Sequence, residues 1–236
     1  MIIGYSLVIV SWLLVINMFI KSLYNWFLDS LFPRALEEDE LFSFSPKQAW
    51  AKLPRSGLPR FGKPPIMNAD SIFAYKDERV RKMVWNIKYK KSTKAVSMAG
   101  FALFVTLQNM PAAISGPIVL IPMPITARRL NERGYNQCHL LVDEIARLDI
   151  DHQFEIRKDL LSRIHHDSRQ TMKNRKERLA STKGIFEANK DHAKEFGKRT
   201  IIVIDDVITT GSTMNEALSV MRNAGYENVS GLSLAH

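Results

Sequence analysis

The chain of 236 residues predicts an α/β fold in which helices cover both faces of a parallel sheet. Two uninterrupted apolar runs, residues 118–121 and 200–204, are rich in the β-branched side chains typical of strands buried on both faces. A segment with helical spacing of apolar residues follows each run. The last forty residues pass from strand to loop, helix and strand. This is the order of a right-handed βαβ unit, which requires parallel strands.

The first predicted elements of this domain are a strand and a helix. Residues 71–75 form a short apolar run that fits a strand, and residues 78–90 carry apolar side chains at helical spacing. The strand over residues 118–121 follows Gly116 and is ended by two prolines, Pro122 and Pro124. The buried face of the helix over residues 78–90 is predicted to consist of Val80, Met83, Val84 and Ile87.

A second helix is predicted over residues 136–148, and its inner face carries the lone cysteine of the chain. We expect Cys138 to be a core residue rather than a reactive thiol, because a buried cysteine behaves as a small hydrophobe. The strand over residues 200–204 leads into Asp205 and Asp206, and the strand over residues 229–234 ends the fold. The helix between these strands, closed near Gly225, is predicted to bury Met214, Ala217, Leu218 and Met221.

The amino-terminal segment is different in character. Residues 1–20 carry no charge, and the first charged residue is Lys21. About 20 apolar residues in a helix match the thickness of a bilayer core. We expect a hydrophobic leader helix over residues 1–32, either inserted in a membrane through residues 1–20 or docked on the protein. A processed signal peptide is a third interpretation, although it fits less well because the segment has no basic residues before its apolar run. If this helix spans a membrane, we expect the domain that follows it to be cytoplasmic and tethered to the inner membrane.

Residues 33–69 are predicted to be an irregular connector, because prolines at this density oppose long helices and interior strands. The acidic run over residues 37–40 is interpreted as a solvated face. The chain therefore divides into a leader over residues 1–32, this connector, and an α/β domain over residues 70–236.

The net charge favours an anionic partner. The chain has 33 basic and 24 acidic residues, which gives a net charge of +9. Phosphate esters, nucleic acid and an anionic membrane face are all compatible with this balance. A single cysteine excludes an intramolecular disulfide and a cysteine-rich zinc module.

The strongest functional pattern follows the strand at residues 200–204. The ligand site of a parallel α/β sheet lies at the carboxyl ends of its strands, where Asp205 and Asp206 are expected. Two carboxylates there can hold a ribose diol or a metal bound to it. The next loop places backbone N–H groups and hydroxyls at a helix start, which favours a phosphate dianion. This loop consists of Thr209, Thr210, Gly211, Ser212 and Thr213. The pattern predicts recognition of a 5-phosphorylated ribose.

Residues 201–213 resemble the phosphoribosyl diphosphate signature of type I phosphoribosyltransferases. Residues 121–141, with Pro-x-Pro, paired arginines and an Arg-Gly-aromatic-Asn-Gln order, resemble the ComF/GntX branch, which is linked in bacteria to competence and DNA uptake. The resemblance covers about residues 70–236. Weaker similarities upstream and in the basic segment are found at Tyr75, Lys88, Arg163, Gln170, Arg178 and Phe186.

The resemblance implies a role for each matching residue. Asp205 and Asp206 would be catalytic and bind the ribose hydroxyls, directly or through Mg²⁺, and the residues from Thr209 to Thr213 would hold the 5-phosphate. The candidates for binding the diphosphate are Arg128, Arg129 and Lys88. The implied protein is a transferase of the glycosyltransferase class, with Mg²⁺ as cofactor and phosphoribosyl diphosphate or a ribose 5-phosphate ester as ligand. The residues identify no base that would activate an acceptor, so the acceptor stays open.

One departure from the branch concerns its amino-terminal zinc ribbon. Leu31-Phe32-Pro33 matches the turn that precedes the ribbon, but residues 34–70 contain neither Cys nor His. A structural zinc site needs about four such ligands. We therefore expect no zinc.

The alternative function is that of a non-catalytic accessory protein that keeps the phosphoribosyl pocket. Its partner would be single-stranded DNA or a helicase of the uptake machinery. Residues 157–199 hold thirteen Lys and Arg residues against six acidic residues, which suits a nucleic acid backbone. However, single-strand binders combine charge with stacking aromatics, and this segment offers only Phe186 and Phe196.

Overall fold

The computed structural model describes residues 36–56, 68–110, 116–164 and 184–236. Contacts divide the chain into two compact units, residues 1–40 and residues 41–236. The leader helix predicted over residues 1–32 lies outside the described residues. Within the described ranges, no helix combines the length and the apolar character needed to cross a bilayer.

The larger unit is built on a five-stranded parallel sheet with a separate antiparallel hairpin. The spatial order of the sheet is 1-7-6-2-3, and strands 4 and 5 form the hairpin. The four strands predicted from the apolar runs are present, whereas strand 3 and the hairpin were not predicted. In chain order the strands are β1 (Ala69–Phe73), β2 (Ile118–Pro122), β3 (Phe154–Ile156), β4 (Leu161–Arg163), β5 (Phe186–Ala188), β6 (Thr200–Val207) and β7 (Asn228–Ala235).

The helices of the described chain include the three that were predicted. The segment predicted as a helix over residues 78–90 is α-helical to Trp85 and then forms a π-helical turn, Asn86–Lys90. Thr93–Gln108 was not predicted, since it is apolar on most of its sides and shows little helical periodicity. The helices are α1 (Leu36–Ser43), α2 (Pro46–Lys52), α3 (Glu78–Trp85), α4 (Thr93–Gln108), α5 (Ala127–Arg133), α6 (Gln137–Leu148), α7 (Ala193–Phe196) and α8 (Ser212–Asn223).

Strand β6 shows how the sheet is covered on both faces. Successive side chains of a strand point to opposite faces. Ile202 and Ile204 belong to one core cluster, which includes residues of α4 and α6, whereas Ile201 and Val203 belong to another, which includes residues of α8. The prediction of a parallel sheet between helical layers is confirmed.

The prediction of an irregular connector over residues 33–69 is wrong for residues 36–52, which form α1 and α2. Pro46 does not oppose α2, because it occupies the first turn, where its missing N–H has no helical partner. Ser45 and Gln48 cap the same turn reciprocally. Leu41 and Leu53 are buried in the core, so part of this segment packs with the α/β domain.

Candidate functional site

Asp205 and Asp206 are part of strand β6 rather than of the loop that follows it. Adjacent side chains on a strand face opposite sides, so the two carboxylates have different neighbours. Asp205 Oδ1 accepts a hydrogen bond from the Asp206 backbone N–H at 2.8 Å and lies 3.6 Å from Cys138 Sγ. Asp206 Oδ2 forms an ion pair with Lys88 Nζ at 3.0 Å. Strand alternation thus places one acid against α6 and the other against the π-helical turn.

The burial of this acid pair changes its protonation. Burial, and then the negative charge of Asp206, raise the pKa of Asp205 from 3.8 to about 7. Burial and the charge of Asp205 also raise the pKa of the Cys138 thiol well above its usual range. Cys138 is fully buried, so the prediction that it is a core residue is confirmed.

The π-helical turn brings Lys88 to the acid pair. Such turns are frequent at functional sites, because the extra residue per turn redirects side chains. Lys91 closes this turn in the left-handed conformation, with φ of 49°. The Tyr135 hydroxyl stabilises the turn with two hydrogen bonds: it donates to Ile87 O and accepts from the Lys91 backbone N–H.

The loop after β6 has the geometry of an anion-binding helix start. Gly211 is the N-cap of α8 with φ of 78°, a conformation that favours glycine, and it has no side chain to cap the helix. The backbone N–H of Ser212 donates weakly to Thr210 Oγ1 at 3.5 Å. Among the described residues, no N-cap side chain satisfies the other N–H groups of the first turn, so they are suited to bind a ligand. The hydroxyls of Thr210 and Ser212 lie 3.0 Å apart on the same side of the loop.

These parts line one cavity of about 320 Å³. Four basic side chains and two acidic ones contribute to its wall, so it suits a ligand with several negative charges. Its polar and aromatic lining consists of Tyr75, Lys88, Tyr89, Arg129, Arg133, Gln137, Arg163, Asp205, Asp206, Thr209, Thr210, Ser212 and Thr213. A larger open cavity, about 780 Å³, lies beside the hairpin. Its charged lining consists of three acids, Asp159, Glu187 and Asp191, and one base, Lys190, so its net negative charge would repel a phosphate.

The structure brings together all the predicted site residues except Arg128. Arg129 lines the cavity, whereas the side chain of Arg128 is 87% exposed and pairs with Glu132 at 2.7 Å. Both arginines lie in the first turn of α5, where adjacent residues point in directions about 100° apart. The two side chains therefore point differently, and Arg129 faces the cavity while Arg128 extends into solvent.

Four basic or aromatic residues of the wall were not predicted as site residues: Tyr75, Tyr89, Arg133 and Arg163. Tyr89 and Arg133 face each other at the mouth, with the guanidinium carbon 5.1 Å from the ring centre. Arg163 comes from β4 and lies over the ring of Phe186. Arg163 had been noted only as a weak family similarity, and the position of Tyr89 depends on a π-helical turn that has no sequence signal.

The carboxylates of Asp205 and Asp206 are the candidate ligands for Mg²⁺ in this cavity. This ion prefers oxygen ligands, keeps several waters, and is commonly held by one or two carboxylates together with substrate phosphates. In the part of the chain that the structure describes, no three His, Cys, Asp or Glu side chains gather as a metal site. Asp206 Oδ2 is buried without a hydrogen bond among these residues, and its partner is the Lys88 cation. If Mg²⁺ is bound here, one or both carboxylates would supply ligands, and a substrate phosphate and water would complete the coordination shell.

Comparisons with known proteins support this description of the domain. Residues 151–234 match the phosphoribosyl transferase domain family. The chain is 35% identical over 120 residues to competence protein F of Haemophilus influenzae, which covers 50% of this chain and 50% of that protein. It is 35% identical over 107 residues to competence protein ComFC of Bacillus subtilis, which covers 45% of this chain and 39% of that protein. The matches thus span half or less of these relatives.

Among solved structures, a glutamine phosphoribosylpyrophosphate amidotransferase from B. subtilis, complexed with ADP and GMP, matches 64% of this chain and 30% of its own. The sequence identity is 13% and the TM-score is 0.38.

Proposed function

The chain belongs to the ComF family of phosphoribosyltransferase-like proteins, and we propose that its cavity binds phosphoribosyl diphosphate with Mg²⁺ and transfers the phosphoribosyl group to an acceptor. The observation that carries this proposal is the arrangement of the cavity wall. An acid pair, a helix start without a side-chain cap and four basic side chains line the same cavity. A ribose with phosphate groups at both ends matches these three parts.

The helix start is the part suited to the 5-phosphate. The N-terminal end of α8 attracts negative charge, and the backbone at Gly211 has no Cβ to hold a phosphate away. The hydroxyls of Thr210 and Ser212 supply further hydrogen bonds. The carboxylates of Asp205 and Asp206, near the carboxyl end of the adjoining strand, are suited to the ribose hydroxyls.

The basic side chains are suited to the diphosphate. Guanidinium groups bind phosphate oxygens in pairs, and Arg129 and Arg133 both line the cavity. Lys88 forms an ion pair with Asp206, and a diphosphate bound nearby would compete with this carboxylate for the cation. Bound metal would help to neutralise the charge of the leaving diphosphate.

The proposed reaction is a substitution at C1 of the ribose. The bond from C1 to the diphosphate oxygen breaks, and its electron pair leaves with the diphosphate. A bond forms between C1 and a lone pair of the acceptor, whose proton is lost to solvent. The transition state carries positive charge on the ribose, and the neighbouring carboxylates stabilise it.

Isothermal titration calorimetry of the full chain with phosphoribosyl diphosphate and Mg²⁺ tests the proposal. We expect saturable binding that weakens at least about tenfold in an Asp205→Asn/Asp206→Asn double variant. An Asp143→Asn variant is the matched control, since Asp143 forms an exposed pair with Lys158. Equal heats for the wild type and the double variant, or no heat for either, would refute the proposal. A diphosphate-release assay over amine, base and acid acceptors then tests turnover.

The second candidate is the accessory protein that binds single-stranded DNA, and one observation favours it. Tyr89 is 54% exposed at the cavity mouth beside Arg133, and Lys90 Nζ lies 5.1 Å from the ring of Trp85. Alternating aromatics and cations suit stacked bases and phosphates. By contrast, Phe186 and Phe196 are buried in the core, so they are not available for stacking.

A gel-shift titration of a labelled oligonucleotide over a salt series separates the candidates. The accessory function predicts a shift that weakens as salt rises and that a Tyr89→Ser variant reduces severalfold. The absence of any shift at low salt would remove this candidate.

A further inference from the structure

We propose that Arg163 binds the diphosphate of the substrate together with Arg129, and that Glu216 positions Arg163 for this role. The assignment deepens the proposed function and rests on it. Arg163 is the last residue of β4, in the small hairpin outside the main sheet, and it lines the cavity with the acid pair.

The guanidinium of Arg163 packs on an aromatic ring. Arg163 is paired in register with Phe186 on β5, and its guanidinium carbon lies 5.1 Å from the centre of that ring. Phe186 is itself buried in the core that contains α8 residues. An arginine stacked on a fixed ring loses less conformational entropy when it binds an anion, because its planar group is already oriented.

The charges around Arg163 favour the binding of an anion. Burial, and then the like charge of Arg129, lower the pKa of Arg163, while Glu216 and Asp205 act in the opposite direction. Two guanidinium groups that repel each other across a partly buried cavity are brought to a lower energy by a multivalent anion between them. A diphosphate is such an anion, and Arg129 lies in the first turn of α5, the helix that follows β2.

Glu216 connects this hairpin to the phosphate-binding loop. Its Oε1 accepts hydrogen bonds from the backbone N–H groups of Gly184 at 3.1 Å and of Ile185 at 2.8 Å. These residues enter β5, whereas Glu216 lies in the second turn of α8, just after the loop at Gly211. The helix that starts at the 5-phosphate site therefore also holds the strand pair that carries Arg163.

Calorimetry of the full chain with two separate probes tests the role of Arg163. The probes are inorganic diphosphate with Mg²⁺, and ribose 5-phosphate. In an Arg163→Gln variant we expect diphosphate affinity to fall about 10- to 100-fold, with ribose 5-phosphate affinity unchanged within about twofold. Arg163→Lys should recover part of the loss, because it restores the charge without the planar fork.

Arg157→Gln is the matched control for Arg163→Gln. Arg157 also lies over a buried phenylalanine ring, with its guanidinium carbon 4.4 Å from the centre of Phe196, but it is outside the cavity wall. This variant should bind both probes as the wild type does. If Arg163→Gln leaves diphosphate binding unchanged, or weakens both probes equally, the assignment is wrong while the proposed function stands. If the wild type binds neither probe nor phosphoribosyl diphosphate, both fail.

A pair of variants at position 216 tests the positioning role. Glu216→Gln keeps an oxygen acceptor for the two backbone N–H groups, whereas Glu216→Ala removes it. We expect diphosphate affinity to fall severalfold in Glu216→Ala and to stay within about threefold of the wild type in Glu216→Gln. Thermal unfolding of both variants identifies a general loss of folding. Equal diphosphate affinities in the two variants would overturn the positioning role.

Discussion

Replacement of Asp205 by Asn should make the protein more stable at neutral and alkaline pH, but not at acidic pH. The folded chain holds a buried carboxyl whose pKa is raised from 3.8 to about 7, first by burial and then by the charge of Asp206. Asn keeps an Oδ1 that can accept the hydrogen bond from the Asp206 backbone N–H, while it removes the charge. The comparison therefore isolates the cost of ionising this side chain inside the protein.

The sign of the effect follows from proton binding. Below about pH 4 the side chain is protonated in both the folded and the unfolded chain, so ionisation costs no stability. Between about pH 4 and about pH 7 the unfolded chain releases this proton while the folded chain keeps it, and stability falls as pH rises. Above about pH 7 both states are ionised, and the loss stays constant.

The magnitude is set by the distance between the two pKa values. A difference of about three units, at about 1.4 kcal/mol per unit, corresponds to at most about 4 kcal/mol. The cavity beside the acid pair gives water some access, so we expect Asp205→Asn to gain about 1–4 kcal/mol at about pH 8. For a domain of this size, that gain corresponds to a rise in Tm of at least about 2 °C.

Urea unfolding followed by circular dichroism at about pH 4, pH 6 and pH 8 provides the measurement. The stability difference between variant and wild type should grow with pH and level off above about pH 7. Asp143→Asn is the control, because its exposed pair with Lys158 is worth less than about 1 kcal/mol. A difference that does not depend on pH, or a variant less stable than the wild type at about pH 8, would refute the reasoning.

Three further perturbations test other parts of the site. Lys88→Met should destabilise the folded chain by about 1–3 kcal/mol in urea unfolding, because the buried Asp206 carboxylate loses its cation; an unchanged midpoint would contradict this. Gly211→Ala should cost about 1–2 kcal/mol and weaken ribose 5-phosphate binding in calorimetry, since its φ of 78° is strained for Ala, and wild-type affinity would be evidence against the helix-start site. Cys138 should resist a thiol reagent at neutral pH until the chain is unfolded, and rapid labelling of the native protein would show that it is not buried.

The sequence predicted the elements that have a strong local pattern. The β-branched runs and the helices of residues 136–148 and 212–223 appear where the apolar spacing places them. Short strands β3, β4 and β5, three residues each, have too few residues to show a period, and the hairpin forms from segments distant in sequence. Helix α4 was not predicted because most of its residues are apolar. Its sequence therefore shows no polar face opposite the buried face, which is the pattern that identifies a helix.

The candidate site shows the same division. The pattern of two acids followed by a Thr/Gly/Ser loop was sufficient to place Asp205, Asp206 and the residues after them at one sheet edge, and they line one cavity. The choice between Arg128 and Arg129 needed the orientation of α5, because both arginines satisfy the same motif. Arg163 and Tyr89 needed the hairpin and the π-helical turn, which depend on tertiary contacts.

By itself, the sequence determined the fold class and the order of two acids and a Thr/Gly/Ser loop after a buried strand, since both follow from residues adjacent in the chain and from the two-residue period of a strand. The tertiary structure decided the electrostatics: Lys88 pairs with Asp206, burial raises the pKa of Asp205 to about 7, and Arg163 and Arg129 line the same cavity. The physical reason is that charge interactions and desolvation depend on distances in space, and the groups concerned come from helices and strands far apart in the sequence.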